Sequence, residues 1–273
     1  MKSKLPVKDG LKMAYFLSLI IACLFASASI LGIFFGSTVY PTDELLSNFI
    51  SNDVVNLIIG LPIILASIFL AMRSKLVGLL FWPGALLFVV YNYLIYVLAM
   101  PLNWIFLLYL TLVVSSVYTI IFLAKRIDAT KIQQQLTGVV HERISGAILV
   151  AMGILFMLQA GGAMINAFIN QIQVTGIDFA VHIADFSISP VLVIGGLLLW
   201  RRKEFGYASG LGLLFQASTL FIGLIAFMII QPLLTQTPFL TVDILVVFIM
   251  GLICFIPLTL YIRGVISKDN SSP

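Results

Sequence analysis

Charge is what this sequence has least of. Lys, Arg, Asp and Glu make up 10% of its 273 residues, where a soluble domain carries about a quarter. Hydrophobic residues make up 61%, so the chain holds too little polar surface to cover a core in water. A soluble globular domain is thereby excluded, and the bilayer becomes the solvent. Cysteine is almost as scarce: Cys23 and Cys254 are the two in the chain, each mid-span and far from any CxxC. That excludes a membrane disulfide oxidoreductase and reads both residues as buried small hydrophobes. Histidine is limited to His141 and His182, on opposite sides of the expected membrane, which excludes a multi-histidine zinc hydrolase. His141-Glu142-Arg143 stops short of HExxH, and no GxSxG elbow occurs. Glycine-rich phosphate loops and paired-aspartate motifs are missing too. These gaps leave no cofactor and no metal to expect, and an enzyme of carboxylates and tyrosines alone has no positive sign.

Long apolar runs are what the chain has instead. Crossing a bilayer takes about 20 apolar residues per helix, and eight segments qualify: 12–36, 53–72, 76–100, 102–124, 143–167, 180–200, 205–230 and 240–263. The expected fold is all-α, a polytopic transmembrane helix bundle. Short β-type alternation is lacking, against a barrel. The four N-terminal lysines before an apolar run ending near Ala26-Ser27-Ala28 resemble a signal peptide. The run continues through Ile30–Phe35, too long for such a segment, so an uncleaved helix is the reading.

Charge placement supports the count. With both termini in the cytosol, all 15 basic residues fall on the inner side of a cell (inner) membrane. The outer segments hold Asp43, Glu44, Asp53, Asp178 and Asp243 and no Lys or Arg, as the positive-inside rule requires. The net charge of +4 is therefore an orientation signal, dispersed over short inner segments, and implies no nucleic-acid partner.

Residues 62–86 reappear without a gap at 190–214, a shift of 128 positions. Pro62 matches Pro190, Arg73 matches Arg201, Lys75 matches Lys203, Gly78 matches Gly206 and Gly84 matches Gly212. These types are scarce here, so the matches carry weight. They predict two parallel four-helix repeats, 1–124 and 143–273, joined by a cytosolic linker at 125–142. An even number of spans per repeat gives both halves one orientation, related by an axis along the membrane normal. The linker reads equally as a short surface helix bearing Ile127, Ile132 and Leu136 or as a plain solvated connector. Gly32 with Gly36, Gly206 with Gly210, Gly161-Gly162 and Gly195-Gly196 offer close helix packing. Pro62 and Pro190 should kink their helices at matching depths, as static packing features or as hinges of a central cavity.

Polar residues inside spans point to sites. Asp178, His182, Asp185 and Ser189 fall on one face at the outer end of the sixth span. Asp53, Asn56 and Gly60 echo them in the second. Asn92 with Tyr91, Tyr93 and Tyr96, and Gln216, are candidates to face the same space. The Asp/His face has three open readings: a solvated helix end with local ion pairs, an outward vestibule where protonation couples to transport, or part of a metal site.

The stretch GLPIILASIFLAMRSKLVGLLFWPGALLFVVYNYLIYVL (60–98), followed by NWIFLLYLTLVVSSVYTIIFL, resembles a group of prokaryotic polytopic, eight-span integral membrane proteins of uncharacterised role. It shares an apolar span with Pro, a basic-Gly turn and a Tyr-rich span. The resemblance implies the fold and no activity, so no functional residue is carried over. The expected function is that of a small-molecule or ion transporter-like protein, with an outward-accessible cavity between two halves and candidate path residues Asp185, His182, Asp178, Ser189, Asn56, Asn92, Tyr91 and Gln216. Two alternatives stand beside it: a membrane-embedded enzyme or binder of a lipid or quinone, and an accessory subunit of a membrane complex. The expected partners are the lipid bilayer and a small-molecule or lipid ligand; no oligomeric state is implied.

Overall fold

A computed structural model describes residues 5–174, 176–235 and 237–271, with side chains described as far as Lys268. Among these residues every named element is helical and there is no strand; one isolated antiparallel bridge joins Val7 to Ile127. The elements are α1 (Lys12–Phe34), the short α2 (Gly36–Val39), α3 (Asp43–Val55), a π-helical turn (Asn56–Gly60), α4 (Leu61–Met72), α5 (Leu76–Ala99) and α6 (Trp104–Arg126). They continue with α7 (Ala129–Leu136), α8 (Glu142–Asn170), α9 (Gly176–Trp200), α10 (Glu204–Leu234) and α11 (Thr241–Ser271). Eight of the described helical segments are long and apolar enough to cross a membrane, because only a helix pairs every backbone group within an apolar segment. The chain is an integral membrane protein of the multi-pass helical type.

One boundary differs from expectation. The second span runs Asp43–Met72, ten residues longer at its start than its apolar run. Thr42 opens it by accepting from the Leu45 amide at 3.2 Å, with Asp43 and Glu44 in the first turn facing the helix dipole favourably. Where α3 meets α4 the Leu61 amide reaches the Asn56 carbonyl, five residues back. That wider turn stands just before Pro62, whose ring would strike the carbonyl of Ile58 in a regular helix. Pro62 and Pro190 both lie on exposed faces, turned toward the surrounding lipid.

α5 is the most enclosed span. Its Trp82 is fully buried, stacks on Tyr15 at 4.7 Å and donates from Nε1 to Ser18 Oγ at 2.8 Å. At the periphery, Phe16, Phe34 and Phe168 are exposed, the last 87%, as lipid-facing side chains should be. Cys254 is buried but Cys23 is exposed, so the expectation of burial fails for Cys23.

The matched turns have one geometry. Lys75 N donates to Leu70 O at 3.0 Å, and Lys203 N donates to Leu198 O at 2.8 Å. Ser74 N to Ala71 O and Arg202 N to Leu199 O are both 2.9 Å. Ser74 and Arg202 both take positive φ, 59° and 54°, closing each preceding helix. After the turn, a Cβ on Gly78 would come 2.3 Å from Ala71 N, and one on Gly206 would come 2.3 Å from Leu199 N. Between the hairpins, α5 crosses α10 at the matched pair itself: a Cβ on Gly84 would lie 2.1 Å from the Gly212 carbonyl oxygen. Gly146 and Gly196 bring α8 and α9 similarly close. Gly161 and Gly162 differ from the others, with open space beside them.

The linker is a helix, not a solvated connector. Asp128 Oδ1 caps α7 by accepting from Lys131 N at 3.2 Å, and Ile132 and Leu136 are fully buried. The N-terminal segment seals this end. Lys8 N donates to Arg126 O at 2.8 Å, Asp128 N donates to Pro6 O at 2.9 Å, and Asp9 pairs with Arg126 at 2.6 Å.

Candidate functional site

Among the described residues the most buried carboxylate is Asp53, 1% exposed. The run 43–52 carries enough polar residues to look like a loop, yet it is helical and places Asp53 against α1 and α5. Tyr40 donates to Asp53 Oδ2 and Tyr96 donates to Oδ1 at 2.9 Å. Gly32 leaves room for the carboxylate, since a Cβ there would overlap Oδ2. Asn52 donates to the Tyr96 hydroxyl at 3.2 Å and to Asn92 Oδ1 at 3.4 Å. Tyr96 stacks on Phe49 at 4.1 Å and contacts Tyr93 and Tyr109. The Tyr40 and Tyr96 hydroxyls and the Asn52 amide find partners here, as buried polar groups generally do, whereas the Tyr109 hydroxyl is buried without one. The result is a cross-brace between three helices. Asp53 is therefore not an outer-loop residue.

Asp185 occupies the opposite side of α5. It accepts from Tyr91 at 2.8 Å, a residue five positions before Tyr96 and on the other helix face. Ser189 spends its hydroxyl on the Asp185 carbonyl, 2.6 Å away on its own helix. Asp178 is exposed. His182 has its Nδ1 buried without a hydrogen-bond partner. No three His, Cys, Asp or Glu side chains among the described residues are placed to hold a metal. The tyrosine-rich span thus splits: Tyr91 serves Asp185, while Asn92, Tyr93 and Tyr96 serve the Asp53 side. Asn56 and Gln216 are fully buried, and both polar atoms of each lack partners.

A concave feature lies elsewhere. A groove of about 300 Å³ opens between α5, α6, α9 and α10, floored by Gly84 and Gly212 and walled by Leu87, Val191, Ile194 and Leu213 among others. It has one polar side chain, Ser209, whose hydroxyl donates to Phe205 O within the same helix at 2.8 Å. None of the eight polar candidates lines it. It faces the lipid: Ile194 and Phe205 at its mouth are 58% and 48% exposed. At one end it meets the linker at Ile127 and Ala129. The pocket thus sits toward the end of α9 away from Asp178 and Asp185, and the two prolines do not frame it. Sequence reasoning missed it because an apolar groove in an apolar chain has no compositional mark.

Across the bundle, Phe81 and Phe215 stack face to face, ring centroids 4.1 Å apart. The residues 128 positions from them are Ser209 and Leu87, both on the groove wall. Comparison with family models, with curated proteins and with solved structures finds no match to this chain.

Proposed function

We propose that this integral membrane protein binds a lipid-like molecule, drawing its apolar tail sideways from the bilayer into the groove between α5, α6, α9 and α10. The observation that carries the reading is the groove's wall: about 300 Å³ of space bounded by apolar side chains, with the single hydroxyl of Ser209 already satisfied. An ion or charged solute needs polar partners inside a membrane, and this wall offers none. A hydrocarbon tail needs only a surface to pack on.

The proposal includes two copies of one four-helix unit, 1–124 and 143–273, with both termini in the cytosol. The shared turn hydrogen bonds, the shared glycine contacts and the Gly84–Gly212 crossing support it. On that reading the groove has a counterpart between α4, α5, α10 and α11. The Phe81–Phe215 stack fills the counterpart, and Ser209 and Leu87 leave the groove open.

Delipidated protein in detergent tests this. Added phospholipid raises the melting temperature of the wild type, by about 2.7 kcal/mol of stabilisation when lipid is 100-fold above its Kd. Ser209→Phe, which copies Phe81 onto the groove wall, removes the shift. An equal shift in both proteins rejects the groove as the site.

A transporter-like role is the second reading, favoured by the unpartnered amides of Asn56 and Gln216. Buried amides without partners call for water or a polar solute. Under that reading Asp185→Asn or Gln216→Leu abolishes uptake into proteoliposomes; unchanged uptake removes those residues from any path.

A further inference from the structure

Exposed basic residues adjoin the groove's lining in sequence at its linker end, and three of them have no acidic partner among the described residues. Ala124 and Ile127 line the groove, and Lys125 between them is exposed. Leu198 and Phe205 also line it, and the turn that joins them carries the exposed Arg201, Arg202 and Lys203. The neighbouring charges are paired or bonded. Arg202 lies 3.8 Å from Glu142, Arg126 pairs with Asp9 at 2.6 Å, and Lys131 pairs with Asp128 at 2.9 Å. Glu204, the acidic group at this rim, accepts from Thr130 at 2.7 Å. Lys125, Arg201 and Lys203 have no acidic partner within 4 Å among the described residues.

The groove's depth suits one leaflet. From Phe205 to Leu213, both on its wall, α10 rises about 12 Å, close to half of a hydrocarbon core about 30 Å thick. A tail lying in it has its head at the basic rim. In the bilayer a tail is already surrounded by hydrocarbon, so its transfer into the groove discriminates little between lipids. The headgroup must supply the selectivity. A basic side chain near the surface attracts an anionic lipid by about fivefold.

We propose that the occupant of the groove is an anionic phospholipid, its acyl chain against Ser209 and Leu87 and its phosphate-bearing head held by Lys125, Arg201 and Lys203. The inference rests on the lipid-binding reading above and names the class of lipid. With three unpaired cations and Glu204 opposing them, the net preference over a zwitterionic lipid is roughly 30-fold.

Native mass spectrometry of the full chain in detergent tests it, with phosphatidylglycerol and phosphatidylcholine of identical acyl chains titrated separately. The wild type retains phosphatidylglycerol roughly 30-fold more tightly. The Arg201→Gln, Lys203→Gln double variant keeps both adducts and brings the two affinities within about threefold of each other. Ser209→Phe loses both adducts. Leu87→Phe, which narrows the groove from the opposite wall, does the same and stands in if Ser209→Phe misfolds. Equal binding of the two lipids by the wild type, with both adducts still lost in Ser209→Phe, overturns the headgroup assignment alone. Adducts that persist unchanged in Ser209→Phe and Leu87→Phe overturn the groove, and the headgroup assignment with it.

Discussion

Replacing Gly84 by alanine adds one methyl group where two helices have no space for it. The new Cβ would sit 2.1 Å from the Gly212 carbonyl oxygen and 2.9 Å from Gly212 Cα. An ordinary carbon–oxygen contact needs about 3.3 Å, so α5 and α10 must part by roughly 1 Å. A gap of that size forfeits up to about half the dispersion well of each contact across the crossing. The cost is that of overpacking, about 1–3 kcal/mol. The obstacle is backbone on both sides, so no rotamer change relieves it. Gly161 is the control. It also lies inside a helix, but a Cβ there meets nothing within 4 Å. Gly161→Ala therefore shows only the helix-propensity gain of about 0.5–1 kcal/mol. Thermal unfolding in detergent, followed by tryptophan emission, measures both variants; Trp82 is fully buried two residues from Gly84. Gly84→Ala melts lower than the wild type and Gly161→Ala melts at or above it. If Gly84→Ala matches the wild type, the close α5–α10 crossing does not exist and the paired-halves reading loses its axis.

Asp53→Ala leaves the Tyr40 and Tyr96 hydroxyls without their acceptor. At about 0.6–1.7 kcal/mol for each interhelical hydrogen bond in a membrane, the loss is about 1–3 kcal/mol by unfolding in detergent. Asp53→Asn keeps an acceptor and the shape, and costs less; equal losses would refute the brace. At the linker, Lys131 holds the Asp128 carboxyl below its usual range through a side-chain hydrogen bond. A lowered folded pKa means that this contribution to α7 is complete above the ordinary value of about 3.9 and fades as pH falls through the lower folded value. Amide protection factors in α7 therefore hold level from pH 8 to pH 5, and Asp128→Ala lowers them throughout that range. Unaltered protection in Asp128→Ala would show that the cap contributes nothing.

Spans were legible because the bilayer sets a length and a composition that apolar runs must meet. The start of the second span was not. Its first ten residues, DELLSNFISN, read as a loop by composition, and become helical because Thr42 caps them and Asn52 and Asp53 find partners within the bundle. Those partners lie 13 to 44 positions away, beyond the reach of local periodicity. The spacing put Asp178, His182, Asp185 and Ser189 on one face of a span, but it could not show that the hydrogen-bond partner of Asp185 is Tyr91 of another helix. Signals for the Asp53 brace existed in Tyr40, Gly32 and the tyrosines of α5, but a sequence cannot say which side of α5 each tyrosine takes. The groove depends on what is small, Gly84, Gly195, Gly212 and Ser209, and small residues mark tight packing as often as open space. Its one trace was the replacement of Phe81 and Phe215 by Ser209 and Leu87 at the 128-residue shift.

Lipid binding in the groove requires that an acyl tail rest there. A phospholipid with a photoactivatable acyl chain, incorporated into nanodiscs with the protein and mapped by peptide mass spectrometry, measures this directly. Crosslinks concentrated on 191–198 and 205–213, and lost in Ser209→Phe, are the predicted result. Crosslinks spread evenly over all lipid-facing helices, including the face closed by Phe81 and Phe215, would contradict it.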